Sequence, residues 1–148
     1  MIRPLGIDIG SSSIKLIELQ EKKGKFEILK CAINPISGGD IKASLKDLLA
    51  FSKLSARRVN ISLSGQSVIV RYIEMPLMKK EELRSAIKFE GGKYIPFDIS
   101  EAILDCAILD KNPSGNANRI LLVAARKDKV NTCREIFKDS GLDIANID

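Results

Sequence analysis

The residues of this chain best suited to chemistry stand close together. Asp8, Gly10, Ser11, Ser12, Ser13 and Lys15 all lie in the run Leu-Gly-Ile-Asp-Ile-Gly-Ser-Ser-Ser-Ile-Lys-Leu-Ile-Glu, from Leu5 to Glu18. Gly10 lets the backbone approach a bound group with no Cβ in the way, and successive N–H groups in such a turn make a small anion-binding concavity. The serine hydroxyls add donors. Lys15 stands where a strand leaving the turn can point an ammonium back at the same place. Asp8 would repel a bare anion but suits a hydrated Mg²⁺, which a polyphosphate carries with it. The chemistry implied is the holding of a Mg-nucleotide by a hairpin.

A plain hairpin accounts for the same letters. Glycine followed by serines between two apolar runs is ordinary turn composition, and Asp8 could serve only as a turn cap. The run is not a Walker loop, because no Gly-Lys-Ser/Thr triplet opens a helix. It also lacks the three spaced glycines of the dinucleotide fingerprint.

These residues need a sheet to hold them. Leu5, Ile7 and Ile9 alternate with Gly6, Asp8 and Gly10, so the first run is a strand that carries Asp8 on the face opposite its apolar side chains. A second strand leaves the turn, Gly24 turns again, and Lys25 to Ile33 reads as a third, giving an antiparallel meander. Asn34-Pro35 and Gly38-Gly39 break it, and Asp40 is a good N-cap for a helix ending near Lys53. Ile41, Leu45, Leu48 and Leu49 form its apolar face.

From there the pattern changes. Arg58 to Leu63 and Val68 to Met75 read as strands joined through Ser64-Gly65-Gln66, and Lys79 to Tyr94 as a helix. Gly91-Gly92 sits oddly inside it, so either the helix ends early or something approaches closely there. Tyr94-Ile95-Pro96-Phe97 is an apolar cluster on a stretch expected to be extended, either a core plug or part of a partner groove. Glu101 to Asp110 and Arg119 to Arg126 are two more strands around the turn-rich Lys111 to Asn116. Asp128 is expected to cap a last helix, with Val130, Cys133 and Phe137 on one face and Gly141 at its end. Asp143 to Asp148 starts another alternating run, as if a second half were to follow.

Composition narrows the function classes. A chain of 148 residues that is 45% hydrophobic can build a core, or two small lobes. The net charge is +5, but the basic residues are scattered and only 5% of residues are aromatic, which argues against a nucleic-acid surface. An acidic partner or an anionic membrane surface suits that charge better. Histidine is absent, which excludes Ser-His and Cys-His catalysis within these residues and leaves no ordinary zinc site. Cys31, Cys106 and Cys133 show no CxxC spacing and read as buried thiols of a reducing compartment. With no signal peptide and no apolar run of membrane-spanning length, a cytoplasmic protein is expected.

Several separate matches support a resemblance. Gly6 to Lys15 resembles the first phosphate loop of the actin-like ATPases. The segment Ile61-Ser-Leu-Ser-Gly, then Val70-Arg71, Met75-Pro76 and Tyr94-Ile-Pro-Phe97, resembles the PilM family of type IV pilus assembly proteins, relatives of FtsA. The resemblance implies an α/β (α+β) chain: an actin-like, ribonuclease H-like lobe with a mixed sheet over residues 1–56, a small inserted α+β lobe over 57–142, and a return to the first lobe at 143–148. It places ATP at Gly10 to Ser13 and Lys15, with Asp8 orienting the water shell of Mg²⁺. The family's second phosphate loop and adenosine pocket fall outside these residues. No ATPase activity and at most weak nucleotide affinity are therefore expected.

The resemblance further implies a cytoplasmic scaffold, peripheral to the inner membrane, that binds the N-terminal cytoplasmic peptide of a PilN-like membrane protein. Arg71, Pro76, Tyr94, Ile95, Pro96 and Phe97 are the expected contacts. Self-association is open, and membrane contact is expected only through the partner. The cytoplasmic domain of a type II secretion GspL-like protein, and a piece of an actin-fold sugar or acetate kinase, stay as alternatives.

Overall fold

The computed structural model describes residues 3–65, 68–112 and 114–148. Gln66 and Pro113, each counted above in a turn, lie outside the described residues. The chain divides into two units, Met1–Ser64 with Thr132–Asp148, and Gly65–Asn131.

The first unit is built on a five-stranded mixed sheet. β1 (Leu5–Ile9), β2 (Ser13–Lys22) and β3 (Lys25–Pro35) form the expected antiparallel meander, with Asp8 opposite Lys15 in register. α1 (Ile41–Ser52) follows, and β4 (Arg58–Ser62) then returns to pair parallel with β1, setting Ser62 opposite Asp8. β8 (Asp143–Ile147) adds parallel to β4, giving the order β3-β2-β1-β4-β8.

Alternation along the strands decides which side of this sheet is core. Leu5, Ile7, Ile14, Leu16, Val59 and Ile61 point to one face and are buried with Leu45 and Leu48 of α1. Cys133 and Phe137 of α3 (Lys127–Asp139) and Leu142 complete the cluster. Burying an aliphatic or aromatic side chain of this size contributes about 1.5–3 kcal/mol, so this layer fixes which face of the sheet is core and which faces away from it. That other face carries Gly6, Asp8, Lys15, Asn60 and Ser62.

Local signals set the element ends. Asp40 caps α1 by accepting from the Ala43 N–H at 2.9 Å. α3 ends in a Schellman arrangement: Gly141 has φ +72°, its N–H donates to Lys138 O, and the Leu142 N–H donates to Phe137 O at 3.1 Å. Asp128, expected as the cap of α3, instead lies inside its first turn and accepts from Arg126 Nε at 3.1 Å. The loop between α1 and β4 is tied down by Glu18, which is fully buried in β2. Its Oε1 accepts from the backbone N–H groups of Ser55 (3.0 Å) and Ala56 (2.7 Å). Lys30 Nζ stands 3.9 Å from the other carboxylate oxygen and also donates to Lys53 O.

The second unit is an antiparallel sheet in the order β5-β7-β6, from β5 (Val68–Pro76), β6 (Ala102–Lys111) and β7 (Ala117–Arg126). α2 (Lys80–Glu90) covers one face, where Leu83 and Ile87 meet Ile73, Met75, Ile120 and Leu122. The buried Asn118 is satisfied by donating to Met78 O at 3.3 Å.

Further particulars depart from the sequence reading. The inserted lobe expected to run to residue 142 ends earlier, because Thr132–Asp148 belongs to the first unit, where Cys133, Phe137 and Leu142 are buried. Of the three cysteines read as buried, Cys31 is exposed and Cys106 half-buried. Arg58–Ser62 was assigned to the inserted lobe beginning at residue 57, but it is a strand of the first sheet, because its Val59 and Ile61 bury in the same cluster as Leu5 and Ile7. The helix expected to reach Tyr94 ends at Glu90 and continues as one 3₁₀ turn, Gly91–Lys93. Both halves of the glycine question hold, since a Cβ on Gly91 would lie 3.0 Å from Leu104 Cδ1. Tyr94 to Phe97 is a series of bends rather than an extended stretch, starting from Tyr94 in a helical conformation (φ −108°, ψ −6°).

Candidate functional site

The turn between β1 and β2 is closed by the Gly10 N–H donating to Ser13 O at 2.9 Å. A Cβ on Gly10 would sit 3.1 Å from that same oxygen and 3.5 Å from Lys15 Nζ, so glycine is favoured here by close approach rather than by its dihedral angles. Ser11 and Ser12 are exposed at the tip and Ser13 is half-buried as β2 begins. The end of β3 is anchored here too, because the Ile36 N–H donates to Ser12 O at 2.8 Å.

Beside the turn, Lys15 Nζ donates to Asp8 Oδ2 at 3.0 Å, and the two side chains remain 52% and 43% exposed. Ser62 Oγ donates to Asp8 Oδ1 at 2.6 Å. The Ser62 hydroxyl first, and Lys15 second, hold the Asp8 carboxyl below its ordinary range against a smaller opposing effect of burial. Asp8 is thus a stable carboxylate, oriented from both sides and open to solvent. Asn60 continues the polar line, donating to Leu5 O at 3.3 Å and accepting from Asn146 Nδ2 at 2.7 Å.

Asp8, Lys15, Asn60 and Ser62, with Gly6 and Asp148, border an open cavity of about 440 Å³ whose remaining lining is apolar and includes Ile17, Ala32 and Ile33. Its size falls in the range of small-ligand sites. Of the six residues expected at the phosphate turn, Asp8 and Lys15 line this cavity, while Gly10 to Ser13 form the turn beside it. Ser62 was not among them. Its signal was the alternation of Asn60 and Ser62 against Val59 and Ile61, which carries meaning only once β4 is known to lie beside β1.

The residues expected at a partner groove are all in the second unit, with different exposures. Arg71, Pro76 and Pro96 are exposed. Tyr94 is half-buried against the Ile73, Met75 and Leu83 cluster. Ile95 is 8% exposed and belongs to a small core with Ala102 and Ala124, on which Phe97 packs. The Arg126 guanidinium lies 5.8 Å from the Phe97 ring centroid, within cation–π reach.

The model of the family described as "Type IV pilus assembly protein PilM" matches residues 6–148. Among solved structures, the "PilM-PilN type IV pilus biogenesis complex" is similar at 28% identity with a TM-score of 0.87, over 99% of this chain and 47% of that one. The cytoplasmic domain of EpsL, an inner membrane component of the type II secretion system of Vibrio cholerae, is similar at 14% identity with a TM-score of 0.70, over 99% of this chain and 57% of that one. The chain thus spans about half the length of the solved relatives it matches. The EpsL likeness speaks to fold alone. Both likenesses agree with the α+β class and mixed sheet described above.

Proposed function

The chain belongs to the PilM family of type IV pilus assembly proteins, and from that premise we propose that it supplies a peptide-binding scaffold lobe together with the first half of a Mg-nucleotide site. The observation that carries the nucleotide reading is the joint orientation of Asp8 by Lys15 and Ser62 beside the closed Gly10–Ser13 turn. An exposed ammonium and an exposed carboxylate at an anion-accepting turn fit a polyphosphate with its divalent ion. Gly10 to Ser13 and Lys15 would hold phosphate oxygens, and Asp8 would hold the ion through its water shell. When bound, the ion neutralises phosphate charge. The residues themselves bind and orient; nothing among them completes a site for phosphoryl transfer.

The partner in this reading is the N-terminal segment of a PilN-like membrane protein, a reading supported by the likeness to the PilM-PilN complex. Arg71, Pro76, Tyr94, Pro96 and Phe97 would meet it, with Ile95 holding the bend from beneath. The chain would work at the cytoplasmic side of the inner membrane; among the described residues no helix is long and apolar enough to cross a membrane.

Two titrations test this. Mg-ATP added to the chain is expected to shift the amides of Gly10 to Lys15 with weak affinity and no turnover; unshifted amides at millimolar nucleotide would reject the nucleotide half. A PilN-type N-terminal peptide is expected to bind the chain and to bind Phe97→Ala more weakly. Equal affinity would move the contact elsewhere.

A further inference from the structure

β6 is the last strand of its sheet, so one of its edges carries no strand among the described residues. The Cys106 N–H is turned to that edge, where it donates to the side chain of its own neighbour, Asp105 Oδ1, at 2.8 Å. By the two-residue repeat of an antiparallel ladder, the Leu104 backbone groups face the same way. α2, which covers the face of this sheet and borders the groove beside β6, places Lys80, Arg84 and Lys88 at i, i+4 and i+8 on one side. All three are exposed, and none forms an ion pair among the described residues.

A groove of about 520 Å³ lies between them. Its floor is Ile87, Ile99, Ala102 and Leu104, and its walls include Arg84, Lys88 and Asp105. Burial pushes the Cys106 thiol up, Asp105 adds to this, and Arg84 and Lys80 pull it back, so both cations act across the groove on β6. An apolar floor, a free strand edge and a row of unpaired cations are the three parts of a strand-addition site for an acidic peptide.

We propose that the groove between α2 and β6 binds an acidic polypeptide segment in extended conformation, paired through its backbone with Leu104 and Cys106 and held by Lys80, Arg84 and Lys88. The stripe is about 12 Å long at 1.5 Å per helical residue, enough for about four residues of strand. Asp105 guards the edge in the free protein, and its side chain must release the Cys106 N–H when the segment docks. The proposal goes beyond the function above, and although its floor of Ile99, Ala102 and Leu104 packs with Ile95 and Phe97, it is tested separately by charge reversal at Arg84 and Lys88, which belong neither to the phosphate turn nor to the PilN-type contacts.

The test uses the whole chain and a labelled, N-acetylated peptide of alternating Glu and Val, with a Lys and Val peptide as control. The Glu peptide is expected to bind with a salt-sensitive affinity, to shift the amides of Leu104 and Cys106, and to bind Arg84→Glu/Lys88→Glu about tenfold more weakly. Asp105→Ala, which frees the Cys106 N–H, is expected to bind it more tightly. Equal binding of the Lys peptide, equal binding by the charge-reversed variant, or unshifted edge amides would each overturn the proposal. So would a single-stranded oligonucleotide that outcompetes the peptide at these residues.

Discussion

Ser62 donates its hydroxyl to Asp8 Oδ1 at 2.6 Å across the parallel β1–β4 pair, although 54 residues separate the two in sequence. With Lys15 on the other carboxylate oxygen, this bond fixes Asp8 beside the turn as an oriented anion.

Removing that bond is expected to show in titration. In Ser62→Ala the Asp8 carboxyl should rise toward its ordinary value, because the larger of its two stabilising hydrogen bonds is lost. The sign of the pH effect follows. A carboxyl depressed in the folded state contributes stability above its unfolded value of about 4, and that contribution disappears as pH falls through the lower folded value. The parent chain should therefore lose more stability on acidification than Asp8→Asn, by a modest amount because the pair is substantially exposed. NMR titration and acid melts check both statements.

Gly10→Ala is expected to open the hairpin. Its Cβ would press on Ser13 O, a backbone atom held by the turn itself, at 3.1 Å. The cost should be about 1–3 kcal/mol, accompanied by faster exchange of the residue 10 amide. An unchanged melting temperature together with an unchanged exchange rate would mean that the turn can yield.

Glu18→Ala should be among the most damaging single changes to the first unit. It strands the N–H groups of Ser55 and Ala56 and takes the carboxylate away from Lys30. Leaving such groups unsatisfied costs about 1–3 kcal/mol each, and Glu18→Gln, which keeps an acceptor, should cost less. Denaturant melts of the two variants give the comparison.

At Gly91 size decides. The residue has helical angles (φ −56°, ψ −30°), so alanine is conformationally allowed, and the atom it meets is the end of the Leu104 side chain at 3.0 Å. Gly91→Ala should change stability little once that side chain shifts. Gly91→Val should overpack the α2–β6 contact by about 1–3 kcal/mol.

Local pattern carried much of the architecture. The alternation of Leu5, Ile7 and Ile9 gave β1, the Gly24 turn gave the meander, and Asp40 and Gly141 marked helix ends by their own side chain or lack of one, as found. The β1–β2 hairpin also put Asp8 across from Lys15 by register alone, so those two residues and the turn were legible together. Asp128 and the Tyr94 to Phe97 bends were not, since Arg126 claims the first and burial of Ile95 shapes the second.

What sequence by itself determined, then, are relations set by neighbours a few residues apart: strand period, helix face, the Gly10 and Gly24 turns, the Asp40 cap and hairpin register. Tertiary structure alone decided that β4 lies beside β1, that Glu18 ties the loop leading into it, and hence that Ser62 reaches Asp8. The physical reason is that parallel strands are joined only through a long crossover, here β2, β3 and α1. Their register is set by shared burial of Leu5, Ile7, Val59 and Ile61 against α1 and α3, a condition that no local stretch of the chain contains.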